Sequence, residues 1–190
     1  MHLDCRTILY QLLSDVLGEQ HLVCSDQFLY WNAADARQCL GPDVAVRLGT
    51  PHQWISSWKT WELGAPHLAI EVVSAGDAGE LPWNQKLARY AACGVRELVR
   101  FDPNERTGER VRVWDRIDED LVEREVRADQ TPCAMLPGLH WVVAPADRVP
   151  AALRLARVAV GRDVVPTRVE ARRIEQARVA ELEAELRRRG

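Results

Sequence analysis

The sequence predicts an α/β (α+β) fold, because helical and strand patterns both recur along a chain of single-domain length. Residues 4–17 repeat apolar side chains at helical spacing, and Gly18 follows as a helix terminator. Residues 67–73 form an apolar run typical of a strand that is covered on both faces. A second helix is predicted over residues 83–93, with Gly94 just past its end.

Further segments complete the predicted order of elements. Additional strand patterns occur over residues 22–24, 27–31, 42–48, 95–101, 111–114, 121–126 and 139–143. Residues 111–114 and 121–126 are predicted to form a hairpin. Residues 167–189 alternate arginine with glutamate and predict a charged helix. We therefore predict one domain over residues 1–150, followed by a linker and the charged helix over residues 151–190.

Charge is distributed unevenly along the chain. The formal net charge is −3 for all 190 residues. Residues 151–190 carry ten arginines and six acids, a net charge of +4, which leaves −7 for residues 1–150. A body with that charge has no general attraction for nucleic acid. A nuclease of this composition would need a local basic groove or a particular oligomer to meet DNA.

Cysteine usage and hydropathy predict a cytoplasmic protein without a membrane span. The five cysteines are scattered, and none has zinc-ligand spacing to another cysteine or to a histidine. We interpret them as reduced thiols. The chain shows no signal peptide, and no apolar run approaches the ~20 residues that are needed to cross a bilayer.

Two carboxylates lie at or inside predicted strands. Glu71 interrupts an otherwise apolar strand, although acidic residues are depleted in strands and are rarely buried without a partner. Asp43 stands at the start of the strand predicted over residues 42–48. A functional site explains both positions. The simpler alternatives are an edge-strand ion pair for Glu71 and a turn residue after Pro42 for Asp43.

Lysine is rare in this chain, which makes Lys86 informative. Of the 25 basic residues, only Lys59 and Lys86 are lysines, so arginine supplies nearly every positive charge. An ammonium and a guanidinium are not interchangeable where a compact charge is required. Lys86 falls on the helix predicted over residues 83–93, where the simpler interpretation is a solvated surface position.

Two carboxylates and a lysine are the minimal set for metal-dependent hydrolysis of a phosphodiester. Asp43 and Glu71 would bind a hard cation such as Mg²⁺ or Mn²⁺ through oxygen, and the cation would activate water. Lys86 would stabilise the developing negative charge. Asp77 and Glu80, in the loop before the helix, are further candidate ligands, although solvated loop positions are the simpler interpretation.

The connection over residues 49–66 contains three tryptophans. Ile55, Trp58 and Trp61 repeat every three residues and predict one or two helical turns. Together with Trp54, the two tryptophans of this repeat could stack on bases. We favour a hydrophobic plug or an oligomer contact, because large aromatic side chains stabilise a fold mainly through buried area.

Four short motifs follow one another along the chain. They are Pro42-Asp43-Val44, Ile70-Glu71-Val72-Val73-Ser74, Lys86-x-x-x-Tyr90-x-x-x-Gly94-Val95-x-Glu97 and Phe101-Asp102-Pro103. Their order and spacing resemble those of the Uma family of bacterial restriction endonucleases, which is similar to the PD-(D/E)XK nuclease superfamily. The resemblance covers residues 5–145, and it implies a restriction-endonuclease-like fold: a central mixed β-sheet flanked by helices.

The resemblance also implies roles for individual residues. Asp43 and Glu71 would bind the metal, and the carbonyl group of Val72 would complete the coordination shell. Lys86 would replace the superfamily's strand lysine, because Val73 occupies the position two residues after Glu71 where that lysine is usual.

Supporting residues are implied at the first two predicted helices. Tyr90 lies one turn after Lys86 on the same helix face. The pair resembles the Gln-x-x-x-Tyr helix of some superfamily members, with Gln85 one residue out of register. An acid at the end of the first helix, Glu19 or Asp15, would also reach the site.

These residues predict a Mg²⁺- or Mn²⁺-dependent endonuclease that acts on DNA. The alternative is a catalytically silent nucleic-acid-binding or assembly protein on a nuclease-like fold, which the acidic body favours. A two-carboxylate glycosidase is a third possibility, but it gives the lysine no role. The tryptophan-rich connection and the charged helix predict a homodimer or a larger homo-oligomer.

Overall fold

The computed structural model describes residues 1–74, 81–158 and 161–189. The helices in these ranges are α1 His2–Leu17, α2 Thr60–Leu63, α3 Trp83–Cys93 and α4 Arg168–Arg189. The first seven strands are β1 Leu22–Ser25, β2 Leu29–Tyr30, β3 Cys39–Leu40, β4 Val44–Arg47, β5 Trp58–Lys59, β6 Leu68–Val72 and β7 Glu97–Phe101. The later strands are β8 Val111–Ile117, β9 Asp120–Arg124, β10 Thr131–Pro132, β11 His140–Ala146 and β12 Val149–Ala156.

The main sheet is mixed, as predicted. Its strand order is β1-β4-β6-β7-β8-β9, and β8 and β9 form the predicted hairpin. Strands β6 and β7 pair in parallel, whereas the other neighbouring strands pair antiparallel. A parallel pair needs a crossover connection between its strands, and α3 lies in that connection.

The two faces of the main sheet are covered by different helices. Alternation along β6 directs Leu68, Ile70 and Val72 into a core that they share with α1. Ala69, which points the other way, packs in a second core with Tyr90 of α3. By the same alternation, Glu71 lies on the face of β6 that α3 covers. The strand is thus covered on both faces, as predicted, and its carboxylate is on the side of α3.

The tryptophan-rich connection differs from its prediction. Trp58 begins β5 and is fully buried, and its indole Nε1 donates to the Gly64 carbonyl at 3.0 Å. The helical turn comes later, in α2. Trp54 and Trp61 are 96% and 49% exposed. The connection therefore contributes one tryptophan to the core and presents two to solvent.

Strand β12 was missed by the sequence analysis, and the predicted linker from residue 151 is wrong at its start. The segment 149–156 forms a three-stranded sheet with β10 and β11. Alanine and proline have low strand propensity, which hides the strand in the sequence. Arg154 is buried inside β12, where its guanidinium donates to the carbonyl groups of Pro145 and Val165 at 2.7 Å each.

A buried carboxylate joins the main sheet to the sheet of β10, β11 and β12. Glu97 of β7 is 0% exposed and accepts hydrogen bonds at 2.6 Å from Arg124 of β9 and at 3.1 Å from the indole of Trp141 in β11. The Met135 amide donates to its other oxygen at 2.9 Å. These partners satisfy a charge that would otherwise be costly to bury.

The predicted charged helix is present as α4. Thr167 and Glu170 form a capping box: the Thr167 amide donates to the Glu170 carboxylate at 2.8 Å, and the Glu170 amide donates to Thr167 Oγ1 at 3.2 Å. Arg154 also binds Glu170 at 2.7 Å. From residue 171 to residue 189, every position except 185 is exposed. In the described residues, none of the helices has the length and apolar character to cross a membrane.

Candidate active site

Asp43 and Glu71 meet at one end of the main sheet. Strands β4 and β6 pair antiparallel with Val44 opposite Ile70. Continuing this register by one residue puts Asp43 opposite Glu71. Both residues are 7% exposed. The two carboxylates that the sequence singled out are therefore neighbours in the fold.

The Asp43 carboxylate is held by the first helix and by the neighbouring strand. Its Oδ2 accepts from the Val72 amide at 2.7 Å. Its Oδ1 lies 3.0 Å from His2 Nε2 and 3.9 Å from Arg6 Nη1, both on α1. Desolvation by burial raises the pKa of Asp43, although the hydrogen bond from Val72 and the charges of His2 and Arg6 oppose that effect.

The Glu71 carboxylate is held by the crossover helix. Lys86 Nζ lies 3.2 Å from Oε2, and the Tyr90 hydroxyl donates to Oε1. Lys86 and Tyr90 share one face of α3 because they are four residues apart. Both side chains of this face contact the Glu71 carboxylate.

Burial and the charge of Asp43 perturb the pKa of Glu71. Desolvation is the main cause of the raised pKa of Glu71, and the nearby charge of Asp43 raises it further, while Lys86 and Tyr90 act to lower it. Tyr90 is fully buried, and burial together with the Glu71 charge raises its pKa well above the ordinary range. Two neighbouring buried carboxylates are an arrangement that a bound cation would stabilise.

The donor set fits a hard divalent cation. Asp43 and Glu71 supply carboxylate oxygens, the ligands that Mg²⁺ and Mn²⁺ prefer, and Mg²⁺ commonly uses only one or two protein carboxylates. Val72 lies beside both carboxylates, and a role for its carbonyl group stays a prediction. Among the described residues, no three side chains of His, Cys, Asp or Glu gather into a metal-binding cluster. Mg²⁺ usually keeps several waters and takes oxygens of a substrate phosphate as further ligands.

Three predicted supporting residues lie away from the site. Gln85 is exposed on α3, one residue and about 100° from Lys86. Asp15 lies 13 residues after His2 on α1, about 20 Å along the helix axis. Glu19 lies in the short 3-10 helix Gly18–Gln20 that follows α1. Asp15 instead pairs with Arg168 at 2.6 Å. The predicted acid at the end of the first helix therefore does not lie beside Asp43, whereas His2 and Arg6 from the start of α1 do. Asp77 and Glu80 lie outside the described residues.

His2 and Arg6 are site residues that the sequence analysis missed. They lie on one face of α1, and Arg6 also lies 3.2 Å from Asp26 Oδ2. Their i, i+4 spacing was a weak signal. The spacing does not indicate a site residue unless it is known that the first turn of α1 packs beside Asp43.

A cleft opens beside Glu71 and Lys86. Its volume is about 350 Å³. It is lined by Asp26, Phe28, Cys39, Leu40, Gly41, Glu71, Leu81 and Lys86. A smaller cavity of about 180 Å³ is lined by Val72, Trp83 and Arg100 together with Glu71 and Lys86. Glu71 and Lys86 thus border both cavities although both are largely buried.

The comparisons with known proteins agree with this fold. A crystal structure of a protein described as a "putative nuclease belonging to DUF820", from Anabaena variabilis, superimposes with a TM-score of 0.50 at 14% identity and covers 70% of this chain and 72% of its own. At that identity the likeness shows the fold alone. No curated protein sequence matches the chain. The model of the Uma2 family, described as "Putative restriction endonuclease", matches residues 1–146. Because that match spans most of the chain and includes Asp43, Glu71, Lys86 and Tyr90, the protein belongs to the Uma2 family.

Proposed function

We propose that this protein is a Mg²⁺- or Mn²⁺-dependent endonuclease that hydrolyses phosphodiester bonds in DNA. The observation that carries the proposal is the convergence of two buried carboxylates and a lysine from three separate elements. Asp43 precedes β4, Glu71 lies on β6, and Lys86 lies on α3 with its ammonium 3.2 Å from Glu71. Membership of the Uma2 family supports the same reaction class.

Each residue has a defined task in this proposal. Asp43 and Glu71 hold the cation, which when bound polarises the phosphate and lowers the pKa of water. Lys86 donates hydrogen bonds to the attacking water or to the phosphoryl oxygen that gains negative charge. Tyr90 fixes the orientation of Glu71, and His2 fixes that of Asp43.

Hydrolysis of the phosphodiester needs water as its only co-reactant. The water oxygen forms a bond to phosphorus while the opposite P–O bond of the backbone breaks. One proton of the water goes to bulk solvent, and the leaving oxygen acquires a proton to become a hydroxyl. The products are one terminal phosphate and one terminal hydroxyl.

Three basic side chains lie near the two carboxylates, where they would contact a substrate phosphate once a cation neutralises the acids. Lys86 lines both cavities beside the carboxylates, and Arg100 lines the smaller one. Arg6 lies 3.9 Å from Asp43. A bound divalent cation would add two further positive charges at the point where a phosphate would bind.

Calorimetry of Mn²⁺ binding tests the proposal first. We expect one site per chain in the wild-type protein and none in the double variant Asp43→Ala/Glu71→Ala. The titration is repeated with a short DNA duplex, because a phosphate can supply missing ligands. Metal-dependent cleavage that survives the double variant would overturn the assignment.

The same titration at lower pH checks the site electrostatics. The pKa values of both carboxyl groups are raised, mainly by burial. Protons therefore compete with Mn²⁺ at a higher pH than they would for exposed carboxylates. We expect Mn²⁺ affinity to fall as the pH is lowered towards these raised values and to recover when the pH is raised again.

A silent nucleic-acid-binding protein is the second candidate function, and one observation favours it. Each carboxylate already has protein partners: His2 and the Val72 amide for Asp43, and Lys86 and Tyr90 for Glu71. A protein of this kind would bind the duplex in gel-shift experiments, with or without Mn²⁺, and would leave it intact.

Replacement of Lys86 by methionine should separate a catalytic lysine from a structural one. Methionine keeps the length and apolar stem of the side chain but removes the charge. We expect cleavage to fall by about 10²–10³-fold, the usual cost of losing one donor to a developing oxyanion. The measurement is a single-turnover rate, with saturating Mn²⁺, on a labelled DNA substrate that the wild-type protein cleaves.

Lys59 provides the matched control, because it is the other lysine of the chain. It pairs with Glu62 at 3.0 Å on the surface, where its side chain is 41% exposed. Lys59→Met should leave the rate within about twofold, since exposed ion pairs contribute little. Equal losses in the two variants would rule out a specific role for Lys86.

A further inference from the structure

We infer that the cleft beside Glu71 and Lys86 binds a single unpaired nucleobase of the substrate, stacked on Phe28. The inference rests on the proposed endonuclease function and deepens it by naming the substrate class. The protein would act on single strands and on unpaired positions such as bubbles and flaps. It would act poorly on a perfect duplex.

The composition of the cleft favours a base over a phosphate. Phe28, Leu40 and Leu81 give it apolar walls, whereas Glu71 and Lys86 are the charged groups on the side of the active site. Gly41 contributes no side chain to fill the space. A flat apolar ring with polar edges matches walls of this kind.

A base can stack on the Phe28 ring only when one face of the base is free. In a duplex, both faces of each base are covered by its neighbours. A base must therefore leave the stack before it can enter the cleft, which costs least for a base that is already unpaired.

Phe28 is placed to stack on the base. Its residue is 59% exposed, which is unusual for phenylalanine. Its backbone is nevertheless fixed, because the Phe28 carbonyl accepts from the Trp58 amide at 2.9 Å and Trp58 is fully buried. An exposed ring on a rigid backbone binds a planar ligand at little conformational cost.

Asp26 and Arg6 connect the cleft to the metal-binding carboxylates. Asp26 lines the cleft, and its Oδ2 lies 3.2 Å from Arg6 Nη1. The same Arg6 atom lies 3.9 Å from Asp43 Oδ1. A nucleotide whose base contacts Phe28 would therefore have its phosphate close to Asp43 and Glu71.

Binding without catalysis tests the base subsite. The probe is a fluorescein-labelled 12-nucleotide single strand, titrated by anisotropy in EDTA so that cleavage does not occur. We expect Phe28→Ala to weaken binding by about 5- to 100-fold, the range for loss of one base–aromatic stack. Phe28→Tyr, which keeps the ring, should bind within about twofold of wild type. A strand of the same length that is abasic throughout should bind Phe28→Ala and wild type equally.

Trp61→Ala is the matched control, because Trp61 is similarly exposed at 49% and is absent from the lining of the cleft. It should leave the affinity unchanged. Cleavage is then compared on a duplex with a central bubble and on the fully paired duplex. Wild type should prefer the bubble by at least about 10-fold, and Phe28→Ala should lose most of that preference.

The outcomes separate this inference from the proposed function. Equal affinity of Phe28→Ala and wild type for the single strand, or faster cleavage of the paired duplex, would overturn the base subsite while leaving an endonuclease. Phe28-dependent binding without any metal-dependent cleavage would retain the subsite and reject the endonuclease. Circular dichroism confirms that the variants are folded.

Discussion

Replacement of Glu71 by glutamine should abolish DNA cleavage while leaving the protein folded. Glutamine has nearly the same shape and still accepts a hydrogen bond from the Tyr90 hydroxyl, but it lacks the negative charge that binds a cation. We expect the single-turnover rate to fall by about 10³-fold or more, because both cation binding and activation of water are lost. The rate is measured on supercoiled plasmid with saturating Mn²⁺, and the melting temperature is recorded in parallel.

Glu97→Gln is the matched control for that variant. Glu97 is also a buried glutamate on a neighbouring strand, and in the register of β6 and β7 it lies opposite Leu68, away from the Glu71 end of the sheet. At a temperature where both variants are folded, Glu97→Gln should retain cleavage and Glu71→Gln should not. Full activity in Glu71→Gln would contradict the assignment of the metal-binding carboxylates.

Replacement of Glu97 by alanine should produce the largest loss of stability among single variants of the sheet core. The change leaves the Arg124 guanidinium, the Trp141 indole and the Met135 amide without their shared acceptor. Breaking a buried ion pair by removing one partner typically costs about 3–5 kcal/mol of unfolding free energy. For a protein of this size, that corresponds to a fall in melting temperature of roughly 6–20 °C. Urea denaturation and thermal melting both measure the effect.

Glu123→Ala gives the corresponding surface control. Glu123 forms a two-point ion pair with Arg112 at 2.7 Å, but both side chains are more than 40% exposed. We expect this variant to lose no more than about 1 kcal/mol. If Glu97→Ala were no more destabilising than Glu123→Ala, the Glu97 carboxylate would not be important for joining the main sheet to the sheet of β10, β11 and β12.

The sequence predicted those parts of the site that depend on local patterns. Helix α3 was predicted with its exact bounds, because proline and glycine delimit it. Glu71 was predicted from a charge inside an apolar strand, and Lys86 from the scarcity of lysine. Each of these signals can be read within a window of about ten residues. The structure then places Lys86 and Glu71 in contact.

Other parts depend on tertiary packing and could not be read in this way. Which end of α1 faces Asp43 is decided by how the helix docks, so His2 was missed and Glu19 was chosen instead. Strand β12 contains a buried arginine and several alanines, so its pattern does not resemble a strand. Its stability comes from pairing with β11 and from the bonds of Arg154 to two carbonyl groups.

The exposed helix α4 affects how the size of the protein is measured in solution. At 22 residues it is about 33 Å long, whereas a compact domain of some 170 residues has a radius of gyration of about 15 Å. A helix that extends into solvent increases the hydrodynamic drag of the protein by a larger fraction than it increases the mass. A monomer of 21.5 kDa would then elute early from a gel-filtration column and resemble a dimer. The predicted homo-oligomer should therefore be tested by light scattering or sedimentation equilibrium, which report mass independently of shape.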